Sequence, residues 1–170
     1  MRTAKIASRA RARARWRERE PEYRASVPGP IYCDASALLK LYVSESGSTE
    51  FNRTVEGRTD LLVSDLAVTE VVSALAHRVR QGSGTREIVR RVQRAISEAV
   101  EVGAYRRVEL TREVHRRAEH FLLALVDTPL RAADALHLAL ALSARAVSMA
   151  SFDARLAAAA RAVGLSTYPA

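Results

Sequence analysis

Short apolar runs that alternate with helix-length segments are the feature that most narrows the folds open to this chain. Ile31-Tyr32-Cys33-Asp34, Leu61-Leu62-Val63-Ser64, Arg107-Val108-Glu109-Leu110, Ala146-Val147-Ser148-Met149-Ala150 and Ser166-Thr167-Tyr168 each read as a short strand, and helical patterns fill the stretches between them. Strands separated by helical crossovers run parallel, and a parallel sheet must be covered on both faces. The predicted fold is therefore α/β: a three-layer α/β/α sandwich around a central, mostly parallel sheet. Ligands in such sheets gather at the carboxyl ends of the strands.

The helical segments are bounded by ordinary start and stop signals. Ala35 to Tyr42 reads as helix, and Ser46-Gly47-Ser48 opens a second one that runs to about Val55. Asp65 is a candidate N-cap for a helix in which Val68, Val71 or Val72, Leu75 and Val79 recur at helical spacing, closed by Gln81-Gly82-Ser83-Gly84. Thr85 to Val100 and Thr111 to Val126 are amphipathic, and a last helix from about Asp153 to Val163 ends at Gly164. Arg131-Ala132-Ala133-Asp134-Ala135-Leu136-His137-Leu138-Ala139-Leu140-Ala141-Leu142 is apolar on nearly every side yet carries one carboxylate. An ionised Asp without a partner is costly to bury, so a cation beside Asp134 is expected.

The 170 residues suffice for one domain with a real core. No apolar run approaches the roughly 20 residues of a membrane span, so no membrane partner is expected. The start of the chain is charged and lacks an apolar signal core, which makes the cytoplasm the expected location. The single Cys33 cannot form an internal disulfide and reads as a small buried residue at a strand end. The charge is uneven: residues 1–24 hold eight Arg and Lys5 against Glu18, Glu20 and Glu22, or +6 of the net +8. The expected organisation is a basic, flexible or partly helical arm over 1–28 followed by a single domain over 29–170. Such an arm is either a solvated helix-former or a nonspecific contact for phosphate backbones. Among the middle helices, Arg78, Arg80, Arg86, Arg90, Arg91 and Arg94 allow the same two readings.

No phosphate-binding Gly loop and no Cys or His cluster suited to zinc occurs, so the chemistry falls to the acids. Four of them stand in apolar surroundings: Asp34 at the end of a strand, Glu70 between Leu66-Ala67-Val68-Thr69 and Val71-Val72, Asp134, and Asp153 just past Val147-Ser148-Met149-Ala150-Ser151-Phe152. Asp34 and Asp153 fall at carboxyl ends of predicted strands. Glu70 and Asp134 fall near the starts of helices, so the four converge on one rim. Like charges so gathered call for a cation, and a hard divalent ion prefers oxygen ligands. The chemistry that suits such a site is metal-assisted phosphodiester hydrolysis. Each acid also has a local reading: Asp34 or Asp153 as a turn residue or N-cap, Glu70 paired with Arg78 or another base, Asp134 as a first-turn acid favoured by the helix dipole. His137, one turn from Asp134, reads as a packing or hydrogen-bonding group rather than a ligand.

Four segments in order, IYCDASALLKLYVSESGS, LLVSDLAVTEVVSALAHRV, LRAADALHLALALSA and MASFDARLAAAARAVGL, make the chain from about Ile31 to Thr167 resemble the PIN-domain ribonucleases of the VapC toxin type. The resemblance implies a magnesium- or manganese-dependent endoribonuclease acting on RNA, the toxin of a type II toxin–antitoxin system, inhibited by a cognate antitoxin protein and commonly a homodimer. Carried over by motif, Asp34, Glu70, Asp134 and Asp153 are the expected catalytic and metal-binding acids, with Asp34 and Asp134 foremost as ligands. Ser36 and Ser151 match the family's hydroxyl positions, or else are local caps. The arm before Ile31 departs from the family pattern. Two other functions stay open: a noncatalytic RNA- or protein-binding module that uses the Arg-rich arm, and a related metal nuclease of RNA or DNA processing.

Overall fold

The computed structural model describes residues 27–169, in which five strands and seven helices alternate. The basic arm expected over 1–28 lies outside the described residues, apart from Val27 and Pro28. In chain order the elements are β1 (Ile31–Cys33), α1 (Ala35–Lys40), α2 (Ser48–Val55), β2 (Leu61–Ser64), α3 (Asp65–Arg80), α4 (Arg86–Glu101), β3 (Tyr105–Val108), α5 (Arg112–Ala124), α6 (Ala132–Ser143), β4 (Ser148–Ala150), α7 (Ala154–Ala162) and β5 (Ser166–Tyr168).

Every strand pairing is parallel, in the order β3-β2-β1-β4-β5. The chain winds outward from β1 through β2 to β3, then crosses back to β4 on the other side of β1. Reversal of direction puts the helices on opposite faces. Because side chains alternate along a strand, Ile31, Cys33, Leu61 and Val63 pack beneath residues of α1 to α4, such as Leu38, Phe51, Val71 and Ile96. Tyr32, Leu62 and Met149 point the other way, into a layer with Val114 and Ala118 of α5, Leu138 and Ala141 of α6, and Leu156 and Ala160 of α7. The expected α/β/α sandwich is thus present, and its sheet is wholly parallel. The strands are short and apolar because both faces are covered; only edge strand β3 keeps exposed cations, Arg106 and Arg107.

Helix α6 explains its own composition. From Ala135 to Ala141 all but Leu136 are buried, so the apolar residues all round it have neighbours all round it. Burial of one leucine side chain there stabilises the fold by about 1.5–3 kcal/mol.

Several boundaries differ from the pattern-based reading, each for a local reason. The N-cap of α3 is Ser64, whose Oγ accepts the Ala67 N–H at 3.1 Å, and not Asp65; that carboxylate instead accepts Arg107 of β3 at 2.7 Å. Strand β3 begins at Tyr105 rather than Arg107, because register with β2 pairs Tyr105 with Leu61 and Val108 with Ser64. Strand β4 starts at Ser148, after the Val147 and Ser148 amides donate to the Pro30 carbonyl. Helix α5 stops at Ala124, two residues short, with Val126 exposed. Helix α2 starts at Ser48, with Gly47 as its cap at φ 81, the left-handed region open to glycine. Among the described residues no helix is long and apolar enough to cross a membrane.

Candidate active site

The reversal of winding places the carboxyl ends of β1 and β4 side by side, the crevice in which open parallel sheets bind ligands. Asp34 and Asp153 are the residues that follow these strands, and both begin helices. The Asp34 amide donates to the Ala150 carbonyl at 3.1 Å, and its Oδ1 accepts the Ala37 N–H at 2.8 Å as the N-cap of α1. Asp153 caps α7 by accepting the amides of Arg155 at 2.8 Å and Leu156 at 3.3 Å. Capping fixes each carboxylate at the rim, so the local reading and the site reading describe the same placement.

Ser36 and Ser151 both bear on Asp34. Ser36 Oγ donates to Oδ1 at 2.7 Å and accepts the Phe152 N–H at 2.7 Å; Ser151 Oγ donates to Oδ2 at 2.7 Å and accepts the Asp153 N–H at 3.2 Å. The two hydroxyls tie the loop after β4 to the end of β1. An aromatic group holds that loop from below: Phe152 packs edge-on against Phe51 and Tyr168, and Lys40 Nζ lies 4.5 Å from its ring centre.

Asp34 is 4% exposed, and its hydrogen-bond donors are all neutral. Burial pushes its carboxyl above the usual range, against the opposing pull of the Ala37 amide and the two serines. Asp153 goes the other way. Its partial burial is outweighed by the Arg155 and Leu156 amides and the Arg155 guanidinium, which hold it below the ordinary value.

Asp134 sits in the first turn of α6, where Oδ2 accepts the Arg131 N–H at 2.9 Å. The cation expected beside it is a guanidinium: Arg155 Nε lies 3.6 Å from Asp134 and Nη2 lies 3.5 Å from Asp153. Arg155 therefore bridges two of the four acids. Its buried Nε has no hydrogen-bond partner, and both contacts are longer than the roughly 2.7–2.9 Å of a strong charge-assisted bond.

Glu70 lies in the second turn of α3 and is not paired with Arg78, which instead binds Glu45. Its partner is His137 of α6, with Nε2 2.7 Å from Glu70 Oε2. His137 Nδ1 is 2.8 Å from the Tyr32 hydroxyl, which is in turn 2.7 Å from Ser64 Oγ. His137 is thus a hydrogen-bonding group, one turn from Asp134. Tyr32 and Arg155 are the site neighbours that the sequence reading passed over. Arg155 had a signal, a lone base two residues past Asp153; Tyr32 had none, because a tyrosine in a strand looks like core.

The four acids thus form three linked groups at one edge of the sheet: Asp34 with its serines, Asp134 and Asp153 on Arg155, and Glu70 on His137. The donor chemistry fits a hard divalent cation, since all four acids offer oxygen and Asp34 is buried without a basic partner. As the side chains stand, no three His, Cys, Asp or Glu groups among the described residues come close enough to hold one ion together. Arg155 occupies the space between two of them. The cavity of about 670 Å³ bordered by Tyr42, Asn52, Arg53, Arg58 and Tyr105 lies at the opposite, amino edge of β2 and β3 and takes no part in the acidic group.

Comparison with known proteins bears on the family and the fold. A family model described as PIN domain matches residues 31–162. Ribonuclease VapC45 and ribonuclease VapC49, from two strains of Mycobacterium tuberculosis, are each 37% identical over 142 residues, which cover 82% of this chain and 95% of theirs. Among solved structures, M. tuberculosis VapC20, described as a sarcin-ricin loop cleaving toxin, superposes with a TM-score of 0.60 at 18% identity over 76% of this chain and 94% of its own. PAE2754 from Pyrobaculum aerophilum superposes with a TM-score of 0.56 at 20% identity, over 81% and 82% of the two chains. These two likenesses carry the fold.

Proposed function

The chain belongs to the PIN-domain family, and from that membership we propose that it is the toxin of a type II toxin–antitoxin pair: an endoribonuclease that hydrolyses RNA phosphodiester bonds at the carboxyl edge of its sheet. The identity to two ribonucleases over nearly their whole length supports the activity class. The single observation that carries the site is Asp34, a buried carboxylate held by neutral donors at the point where the sheet reverses direction. An uncompensated anion in that position is costly unless a cation belongs there.

Asp34 and Asp134 would hold a divalent ion, magnesium or manganese, with Glu70 and Asp153 completing the pocket directly or through water. When bound, such an ion supplies an activated water and charge stabilisation for the phosphoryl group. The protein's own residues do the rest. Ser36 and Ser151 orient Asp34, the α7 cap fixes Asp153, and His137 orients Glu70. Arg155 supplies a positive charge close to where an RNA phosphate would lie. The partners of this reading are RNA, a cognate antitoxin protein and a second copy of the chain.

The test is RNA cleavage by the purified full chain with magnesium or manganese and with chelator. The parent should cut only with the metal present, and Asp34→Asn and Asp134→Asn should abolish cutting while keeping the parent's circular dichroism. Activity that survives chelation, or that is unchanged in both variants, would overturn the assignment.

A further inference from the structure

Glu70 and His137 come from helices that belong to opposite layers, α3 and α6, and they meet over the end of β1 and β2. Their contact is one link of a longer chain: Ser64, Tyr32, His137, Glu70 at 2.7, 2.8 and 2.7 Å. Tyr32 is fully buried and His137 is 2% exposed, so water does not compete for the Ser64–Tyr32 and Tyr32–His137 bonds, while the Glu70 carboxylate at the end of the chain reaches the surface. The chain also closes on itself. Ser64 caps the helix on which Glu70 stands, by accepting the Ala67 N–H, and Glu70 lies six residues further along.

We propose that His137 is a positioning residue for the reaction: its Nε2–H holds the Glu70 carboxylate aimed at the acidic edge, and Tyr32 keeps the ring from turning. The proposal rests on the reading of Glu70 as a site carboxylate. An ionised Glu70 can only accept, so the ring nitrogen facing it must carry the proton. The other nitrogen meets a hydroxyl able to give or to take, which suits the ring in either of its charge states. The ring cannot flip without giving up both bonds, and Tyr32 packs against it edge-on with centroids 5.8 Å apart. Glu70 keeps a second oxygen that the histidine does not engage, free for the reacting groups. Outer partners of this kind typically matter 10- to 100-fold in activity or metal affinity.

The experiment compares parent, His137→Leu, His137→Gln and Tyr32→Phe in RNA cleavage, with Glu70→Ala alongside and folding checked by thermal melts. His137→Leu should lower kcat about 10- to 100-fold with KM for RNA changed less than twofold, and His137→Gln, whose amide reaches the same place, should recover most of the loss. Tyr32→Phe should fall between them. A folded His137→Leu with parental kcat, or a folded His137→Gln as poor as the leucine variant, overturns the proposal. Should the leucine variant not fold, the parent and Glu70→Gln decide through nitrogen-15 NMR. A slowly exchanging His137 Nε2–H signal that moves in Glu70→Gln supports the contact, and its absence refutes it. If Glu70→Ala retains activity, the reading of Glu70 as a site carboxylate fails, and the proposal fails with it. An inactive Glu70→Ala beside a fully active His137→Leu overturns the positioning role alone.

Discussion

Replacement of Arg155 by glutamine should tighten the binding of a divalent cation rather than weaken it. Arg155 is the only basic side chain in ionic contact with Asp134 or Asp153 among the described residues, and its guanidinium lies 3.6 and 3.5 Å from them. An ion that takes up these carboxylates must first displace it. The contacts are long, and the Arg155 side chain is 32% exposed, with Asp153 at 40% and Asp134 at 12%, so the Asp153 pair is worth the roughly 0.2–1 kcal/mol of a partly screened pair and the more buried Asp134 pair lies toward the top of that range. Loss of both therefore removes about 1 kcal/mol of competition, which corresponds to roughly fivefold in affinity at 1.4 kcal/mol per tenfold. Removal of one like charge from the ion's surroundings acts in the same direction. Calorimetric titration of manganese into metal-free protein measures the difference: Arg155→Gln should bind about fivefold more tightly, whereas Arg155→Lys should stay closer to the parent. Equal or weaker binding by the glutamine variant would show that the guanidinium does not stand in the ion's way.

Asp34→Asn should raise the melting temperature at neutral pH even as it abolishes the proposed activity, because burial penalises the charged carboxyl. The sign follows from its raised pKa in the fold. Between the ordinary aspartate value of 3.8 and the raised one, the native state binds more protons, so stability falls as pH rises through that window, and the cost is complete above it. The gain from Asn should therefore shrink on acidification. Asp153 has the opposite sign: it contributes stability at neutral pH that is lost as pH drops through its depressed value, so Asp153→Asn should lower the neutral-pH melting temperature modestly. Leu138→Ala, at a fully buried position of α6, should cost about 2–5 kcal/mol in urea unfolding, and a value under 1 kcal/mol would mean that this stretch of α6 is not enclosed as described. Asp65→Ala, which removes an exposed ion pair with Arg107, should leave the urea unfolding midpoint close to the parent's, and a large drop would mean that the pair is not screened by water as its exposure implies.

Features that depend on neighbours along the chain are legible in the residues alone. Apolar runs of three to five residues, spaced by amphipathic segments, dictate parallel strands under two helical layers, because no other arrangement covers both faces of such strands. The same local logic located Asp34 and Asp153, since a residue just past a strand in this fold lies at the ligand-binding edge whatever else it does. A less apolar run marks its strand less sharply. Tyr105-Arg106 carries no strand pattern of its own, and β3 includes it only because β2 offers it a register.

Contacts between elements were decided by the tertiary structure, since the order of strands, not spacing in sequence, chooses who meets whom. The base that answers Asp134 stands 21 positions on, brought there by the turn from β4 into α7. Glu70 meets a histidine 67 positions away instead of the arginine eight positions on, because Arg78 turns to Glu45 and the end of β1 draws α3 and α6 together. Periodicity reports which face of an element is buried; it is silent on what lies opposite, and the chemistry of this site is set by what lies opposite.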